Sequence, residues 1–334
     1  IFIISRSLCV INIIVTHKLR EIMNITDHVS VMRAGKMVAH RETSKTNPEE
    51  LAELMIGRKV LLNIKKSKAK SGKALLTAKN LEIYNEQGLK RVTEVSFEAY
   101  SGEILGIAGV TGNGQGSLLK ALAGILPLSK GSIEIMGKTI TPEIHLNPKQ
   151  LRELGVAHVP EDRQKMGMIA DFSASETALL GYHNDQEINQ GVWLKRSSVK
   201  ANCESLMEAF DVRPTNPDLK SSNFSGGNQQ KLILAREFER NPEVLIIGQP
   251  TRGVDIGAIE FIRKRIIEMR DAGKAIILIS VELEEIMSLS DRIIVMCDGE
   301  ITGTVNAEDA EEATLGMMMA NALTTNENPD EAEL

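Results

Sequence analysis

An α/β fold around a parallel sheet follows from three observations. Short apolar runs rich in β-branched residues, at 244–247 and 275–279, read as buried parallel strands, and 103–108 is a first short apolar run ahead of them. Helical spacing of Ile262, Ile266 and Met269 lies between the last two runs, so strands alternate with helices. The first run enters a glycine-rich turn that leads into a segment of helical character at 117–123. Ahead of it, alternating apolar residues at 75–83 and 92–99 predict two half-buried strands.

Composition narrows the function. The chain of 334 residues carries 39 basic and 45 acidic side chains, a net charge of −6. That balance argues against non-specific nucleic-acid binding by the whole chain, and one Trp, three Tyr and seven Phe are too few for a base-stacking surface. Cys9, Cys203 and Cys297 are scattered without a CxxC pair, so neither a zinc site nor a disulfide framework is expected, and no other metal site is predicted within this chain alone. No apolar run reaches the ~18–20 residues of a bilayer span. Residues 1–15 lack the basic leader and cleavage site of a signal peptide.

An internal repeat sets the domain organisation. Residues 13–36 (IIVTHKLREIMNITDHVSVMRAGK) align without a gap to residues 277–300 (ILISVELEEIMSLSDRIIVMCDGE), an offset of 264. Leu19/Leu283, Glu21/Glu285, Ile22/Ile286, Met23/Met287, Asp27/Asp291 and Gly35/Gly299 are identical, and Leu51/Leu315 and Met55/Met319 extend the match. One structural unit is therefore expected twice. The second unit begins near Leu76, so the counterpart of its first part would precede Ile1. The expectation is a C-terminal remnant of a first domain at 1–60, a linker at 61–74, a whole second domain at 75–323 and a disordered acidic tail at 324–334. The lysine-rich linker is also compatible with a membrane-surface contact. Residues 1–11 have lost the amphipathic pattern and the Gly-Lys turn of their counterparts near 265–275.

Four motifs carry chemistry. Gly109-Val-Thr-Gly112-Asn113-Gly114-Gln115-Gly116-Ser117 has the spacing of a P-loop, G-x-x-x-x-G-K-[ST]. Backbone N–H groups there can cradle a phosphate, but Gln115 stands for the lysine and Gly116 for the metal-binding hydroxyl; a plain glycine turn is the competing reading. Phe224-Ser225-Gly226-Gly227-Asn228-Gln229-Gln-Lys231 resembles the LSGGQ signature of ABC ATPases in its FSGGNQQK form, with Ser225 as a helix cap. Residues 244–255 (VLIIGQPTRGVD) look like a Walker B strand and D-loop, with Gly248 and Gln249 where an active ATPase has Asp and Glu, and Asp255 at the D-loop aspartate. Gln249 stands at the general-base position, yet an amide takes no proton from water near neutral pH. His17 of the first unit matches the switch histidine, and its repeat partner is Val281.

Together these motifs resemble, over essentially the whole chain, the tandem ATP-binding proteins of ABC importers for nucleosides and simple sugars. The resemblance implies a P-loop ATPase core (RecA-like α/β) with an antiparallel β subdomain and a helical signature subdomain. GNGQ in the P-loop, the missing DE before PTRGVD and the Gly181-Tyr182-His183 stretch favour the nucleoside branch; a ribose/galactose-type sugar importer is the alternative. A regulatory nucleotide-binding pseudo-ATPase is the more distant one. The implied cofactors are ATP and, at the hydrolytic site of the full-length protein, Mg²⁺. Tyr84 is a candidate for stacking on adenine, and Glu161, Asp162 and Arg163 for coupling to the permease. The implied partners are two membrane permease subunits, indirectly a substrate-binding lipoprotein, and the first ATPase domain. The implied place is the cytoplasmic face of the membrane. In head-to-tail pairing, His17 and the signature would complete a hydrolytic site with the first domain's Walker motifs. The degenerate site would not hydrolyse, and this chain alone is expected to be inactive.

Overall fold

The computed structural model describes residues 2–7, 10–16, 18–33, 35–59, 66–184, 189–190 and 193–321. His17, Cys9, residues 61–65 of the expected linker and the acidic tail lie outside them. The chain divides into two units, residues 1–65 with 253–264, and residues 66–252 with 265–334.

In the first unit, β1 (Phe2–Ser7), β2 (Val10–Val15), α1 (Leu19–Ile25), β3 (His28–Arg33), β4 (Lys36–Glu42) and α2 (Pro48–Ile56) surround a four-stranded sheet of order β2-β1-β3-β4. Ile22, Val29, Val31 and Leu51 form its buried core. Helix α2 starts as its sequence dictates. Asn47 accepts a hydrogen bond from the Glu50 N–H at 2.8 Å, and Pro48 occupies the first turn, where no backbone donor is needed. The helix ends at Gly57, whose φ of 88° is the left-handed conformation glycine adopts at low cost.

The second unit opens with β5 (Ala74–Tyr84) and β6 (Lys90–Tyr100), followed by β7 (Glu103–Ala108), α3 (Gln115–Leu122), β8 (Lys130–Ile135) and β9 (Lys138–Ile140). Next come α4 (Pro148–Glu153), β10 (Val156–Val159), α5 (Ala174–Leu179), the short pair β11 (Asn189–Gln190) and β12 (Trp193–Leu194), and α6 (Arg196–Ala209). The chain then forms α7 (Gly226–Phe238), β13 (Val244–Gly248), α8 (Ile256–Asp271), β14 (Ala275–Ser280), α9 (Leu283–Leu289), β15 (Arg292–Cys297), β16 (Glu300–Asn306) and α10 (Glu312–Met319).

Two sheets sandwich α3. The larger has the order β10-β13-β14-β7-β15-β16, parallel except for its last pair; the smaller, antiparallel one has the order β6-β5-β8-β9. All residues of β7, β13 and β14 are buried, which is why these strands read as unbroken apolar runs rather than alternating ones. Leu105, Ile107, Leu118, Leu122, Ile246 and Ile277 join one core with Leu76, Leu81, Ile133 and Ile135 of the smaller sheet. Arg292 clamps Glu103 through two hydrogen bonds of 2.8 and 3.0 Å, and Asp291 accepts from the Ile104 N–H at 2.9 Å, so the start of β7 is fixed by charge as well as packing.

The repeat is structural to the residue. Helices α1 and α9, strands β3 and β15, and strands β4 and β16 begin and end 264 positions apart. Even the β-bulge recurs, between Val31 and Met32 and between Val295 and Met296. The exception is the place beside β2. In the second unit β14 lies next to the parallel strand β7; in the first, β2 lies next to β1 in an antiparallel hairpin. Residues 2–7, from a stretch that lacks helical periodicity, supply β1 of that pair.

Candidate nucleotide site

The parallel strands share a register that brings their carboxyl ends level: Ile247 pairs with Leu278, Ile279 with Ile107, and Val159 with Ile247. Segments leaving β7, β10, β13 and β14 converge there, where open α/β sheets place ligands. They enclose a cavity of about 450 Å³. Its lining includes Thr111, Gly112, Gly114, Gln115, Gly116 and Ser117 from the glycine loop, Glu161 after β10, Gln249 after β13 and Val281 after β14.

The loop geometry depends on its glycines. Gly112 and Gly114 have φ of 103° and 99°, and Gly114 is followed directly by the first turn of α3. That helix presents its free backbone N–H groups at the cavity. Gln115 is 4% exposed, and its Nε2 has no hydrogen-bond partner among the described residues. Its side chain folds back against Gly109, where a Cβ would collide with it. A buried amide donor left unpaired costs free energy, and this one, lying against Gly109, which is outside the cavity lining, would have to turn to meet an anionic oxygen in the cavity. Gln249 also lines it, 7% exposed and with φ of 49°, a conformation uncommon for a side chain of this kind. Its N–H is tied to the Ile279 carbonyl at 2.8 Å, which holds the strand end in that strained turn.

Cations that sequence reasoning missed complete the lining. Arg91, Lys120 and Arg252 border the cavity, with Asn85, Gln87 and Ser280. Lys120, one helical turn beyond Gly116, also pairs with Glu86 at 3.3 Å. Its place one turn after the glycine loop was the available signal; Arg91, at the start of a strand, carried none.

Other predicted residues fall elsewhere. Ser225 caps α7, accepting from the Asn228 N–H at 3.5 Å and from the Asn228 side chain at 2.9 Å. Gly226 and Gly227 open the same helix, and Gln229 turns inward to donate to the carbonyls of Ser221 and Phe224, both at 3.1 Å. None of Ser225–Gln229 lines the cavity. Asp255 accepts from the Ala258 N–H at 2.9 Å within the first unit. Tyr84 is 41% exposed and does not line the cavity, whereas Asn85 and Gln87 do. Asp162 caps the turn that follows it, accepting from Gln164 and Lys165. Arg163 donates to the Arg252 carbonyl at 2.7 Å and to Gln229 at 3.3 Å. Of the three coupling candidates, only Glu161 enters the cavity. Tyr182 packs under two guanidinium groups, Arg240 at 4.5 Å and Arg152 at 5.4 Å, and donates to Glu237 at 2.7 Å.

Fold and loop define a P-loop ATPase domain. Residues 92–252 match the family model described as ABC transporter, so this part of the chain is a domain of that family. The chain is 41% identical over 307 residues to the nucleoside import ATP-binding protein NupA of Lactococcus lactis, covering 92% of this chain and 60% of that protein. It is 36% identical over 308 residues to the ribose import ATP-binding protein RbsA of Clostridium tetani, covering 92% and 59%. The chain thus spans about three fifths of the length of these relatives. A nucleotide-free ATP-binding cassette from an ABC transporter superposes with a TM-score of 0.59 over 76% of this chain at 21% identity, a likeness of fold. Among the described residues, no helix is long and apolar enough to cross a membrane.

Proposed function

We propose that this chain is part of the ATP-binding subunit of an ABC nucleoside importer, and that its own cavity binds ATP without hydrolysing it. The observation that carries this reading is the glycine loop and helix N-terminus that line the cavity, with Gln249, an amide, at the general-base position. ATP fits the donor set: the loop N–H groups and Gln115 would hold phosphate oxygens, and Arg91, Lys120 and Arg252 would balance their charge. Bound Mg²⁺ would neutralise phosphate charge.

What the chain's own residues do follows from their types. Gln249 orients through its amide and removes no proton. Gln115 donates one neutral hydrogen bond where a lysine would place a full charge. The Ser225 cap fixes the start of α7, and the Gly226-Gly227 backbone is offered to a nucleotide held by a first ATPase domain, of which residues 1–60 are the C-terminal part. His17 would serve the hydrolytic site there. Residues 75–323 would then form the second domain, joined by the segment 61–74 and followed by the tail 324–334. In this assembly the protein sits at the cytoplasmic face of the membrane on two permease subunits, with a substrate-binding lipoprotein delivering the solute. Asp162 and Arg163 remain the proposed permease-coupling residues.

The relative named for nucleoside import supports the nucleoside reading, and the one named for ribose import keeps a sugar importer as the second. Uptake by cells carrying the complete transporter decides between them. Accumulation of labelled guanosine that is lost with this gene is expected. Uptake of ribose without any nucleoside would replace the first reading by the second.

A further inference from the structure

The lining of the nucleotide cavity divides by origin. The glycine loop, the start of α3 and the ends of β10, β13 and β14 supply one part; the smaller antiparallel sheet, with the turn between β5 and β6, supplies Asn85, Gln87 and Arg91. The first part carries the backbone donors suited to phosphate. The second is left to meet the nucleoside. None of the described residues lining the cavity is aromatic, and Tyr84, 41% exposed, stays outside the lining. A nucleobase therefore finds no ring here to stack on.

Arg91 is the planar group on that side. It is the second residue of β6, and its backbone is fixed against the glycine loop. A Cβ on Gly114 would collide with the Arg91 carbonyl oxygen, and one on Gly299 would lie 2.7 Å from it. Two residues on, the Thr93 N–H donates to the Gly299 carbonyl at 2.8 Å. The Arg91 side chain is held by nothing comparable. The residue is exposed, and its guanidinium makes no hydrogen bond or ion pair to any described residue, whereas Lys120 is paired with Glu86 at 3.3 Å. A weakly hydrated guanidinium plane without a partner offers a stacking surface to a flat π system.

The neighbouring turn holds no fixed pattern by which to choose a base. Asn85 spends its Oδ1 on the turn itself, accepting from the Gln87 N–H at 3.0 Å and the Leu89 N–H at 2.9 Å. Gln87 is left with a carboxamide that presents a donor or an acceptor according to its rotation. A stacking platform is equally indifferent, since every base has a π-face.

We propose that Arg91, beyond its charge, is the nucleobase platform of this cavity, and that the site consequently takes purine nucleoside triphosphates without choosing between adenine and guanine. This rests on the reading of the cavity as a nucleotide site.

The test is calorimetric titration of the full chain with ATP, GTP and inorganic tripolyphosphate, for the parent, Arg91→Lys and Tyr84→Ala. ATP and GTP should bind the parent within about threefold of each other. Arg91→Lys keeps the charge and loses the plane. It should weaken ATP and GTP alike by about tenfold, the scale of one stacked base, and change tripolyphosphate binding by less than about threefold. Tyr84→Ala should leave ATP binding unchanged, and melting temperatures close to the parent's would confirm that both variants are folded. Four results would overturn the role of Arg91 while the nucleotide site stands: ATP bound more than about tenfold tighter than GTP by the parent, Arg91→Lys binding ATP as the parent does, an equal loss for tripolyphosphate, or a loss of ATP binding in Tyr84→Ala. If neither nucleotide nor tripolyphosphate binds the parent, the nucleotide reading falls and the role of Arg91 with it.

Discussion

Replacing Gly248 by alanine should destabilise the domain, although removing a glycine usually does the opposite. The added methyl would sit 2.6 Å from Glu161 Cγ, 2.8 Å from Leu119 Cδ1 and 3.0 Å from the Glu161 backbone nitrogen. Leu119 can yield at its tip. Glu161 cannot yield without leaving the cavity or moving its own backbone. Overpacking of this kind costs about 1–3 kcal/mol, while the lower chain entropy of alanine in the unfolded state returns about 0.4–1 kcal/mol. A net loss of about 1–2 kcal/mol is therefore expected, read as a lower urea midpoint at unchanged slope. The sharper assay is the double-mutant cycle with Glu161→Ala. Once Cγ is gone, the methyl has room, and the penalty should shrink by about 1 kcal/mol, beyond the ~0.3–0.5 kcal/mol within which independent sites add. A Gly248→Ala protein as stable as the parent, with an additive cycle, would refute the view that Glu161 occupies this vacated space.

Three further outcomes follow from the same geometry. The His158 ring is held neutral by burial and by the nearby Arg236 and Arg152, which bring its pKa down to about 4 from 6.5, and its Nε2 has no hydrogen-bond partner among the described residues. The unfolded chain therefore takes up the proton first: the stability is fully present above pH ~6.5, is lost as pH falls toward ~4, and amounts to roughly 2–3 kcal/mol lost by pH ~4.5. Urea unfolding at the two pH values should show that much less acid loss in His158→Leu, and an equal loss in both proteins would contradict it. Gln115→Ala removes the buried donor and should weaken ATP binding by about tenfold, while Gln115→Lys should tighten it, because a charged donor contributes roughly 1.5–3 kcal/mol; unchanged calorimetric affinities would count against the cradle. In a protein with a complete first domain, Gly227→Asp should lower phosphate release by about 10²–10³-fold, as loss of a preorganised donor does, and Gln249→Ala should leave it nearly normal. The reverse order would mean that the degenerate site is the hydrolytic one.

The fold was legible because its strands and helices follow local pattern. Fully buried β13 and β14 declare themselves as β-branched runs and β7 as a short apolar one, and the 264-residue repeat carries over to element ends and a shared bulge. The glycine loop was legible because its spacing is dictated by backbone conformation at Gly112 and Gly114. Glu161 was assigned to coupling by its motif, since sequence position says nothing about which way a side chain turns after a strand. Its entry into the cavity depends on the absence of side chains at Gly116 and Gly248, which are 45 and 87 positions away along the chain. Arg91 joins the same cavity only because β6 reaches it from the smaller sheet, a tertiary fact with no local mark. Tyr84, a stacking candidate by family resemblance, lies outside the cavity lining, whereas Asn85 and Gln87 of the polar turn just after it belong to that lining.

The central claim is that this chain binds ATP at its own glycine loop and does not turn it over. One sample decides it most directly: the purified chain titrated with ATP in Mg²⁺ by calorimetry, with inorganic phosphate measured in the same cell afterwards. Saturable binding to one site per chain, weakened by Gln115→Ala and unaccompanied by phosphate release above buffer, is the predicted result. Release of phosphate that persists through purification and is abolished by Gln249→Ala, or no heat of binding at millimolar ATP, would contradict it.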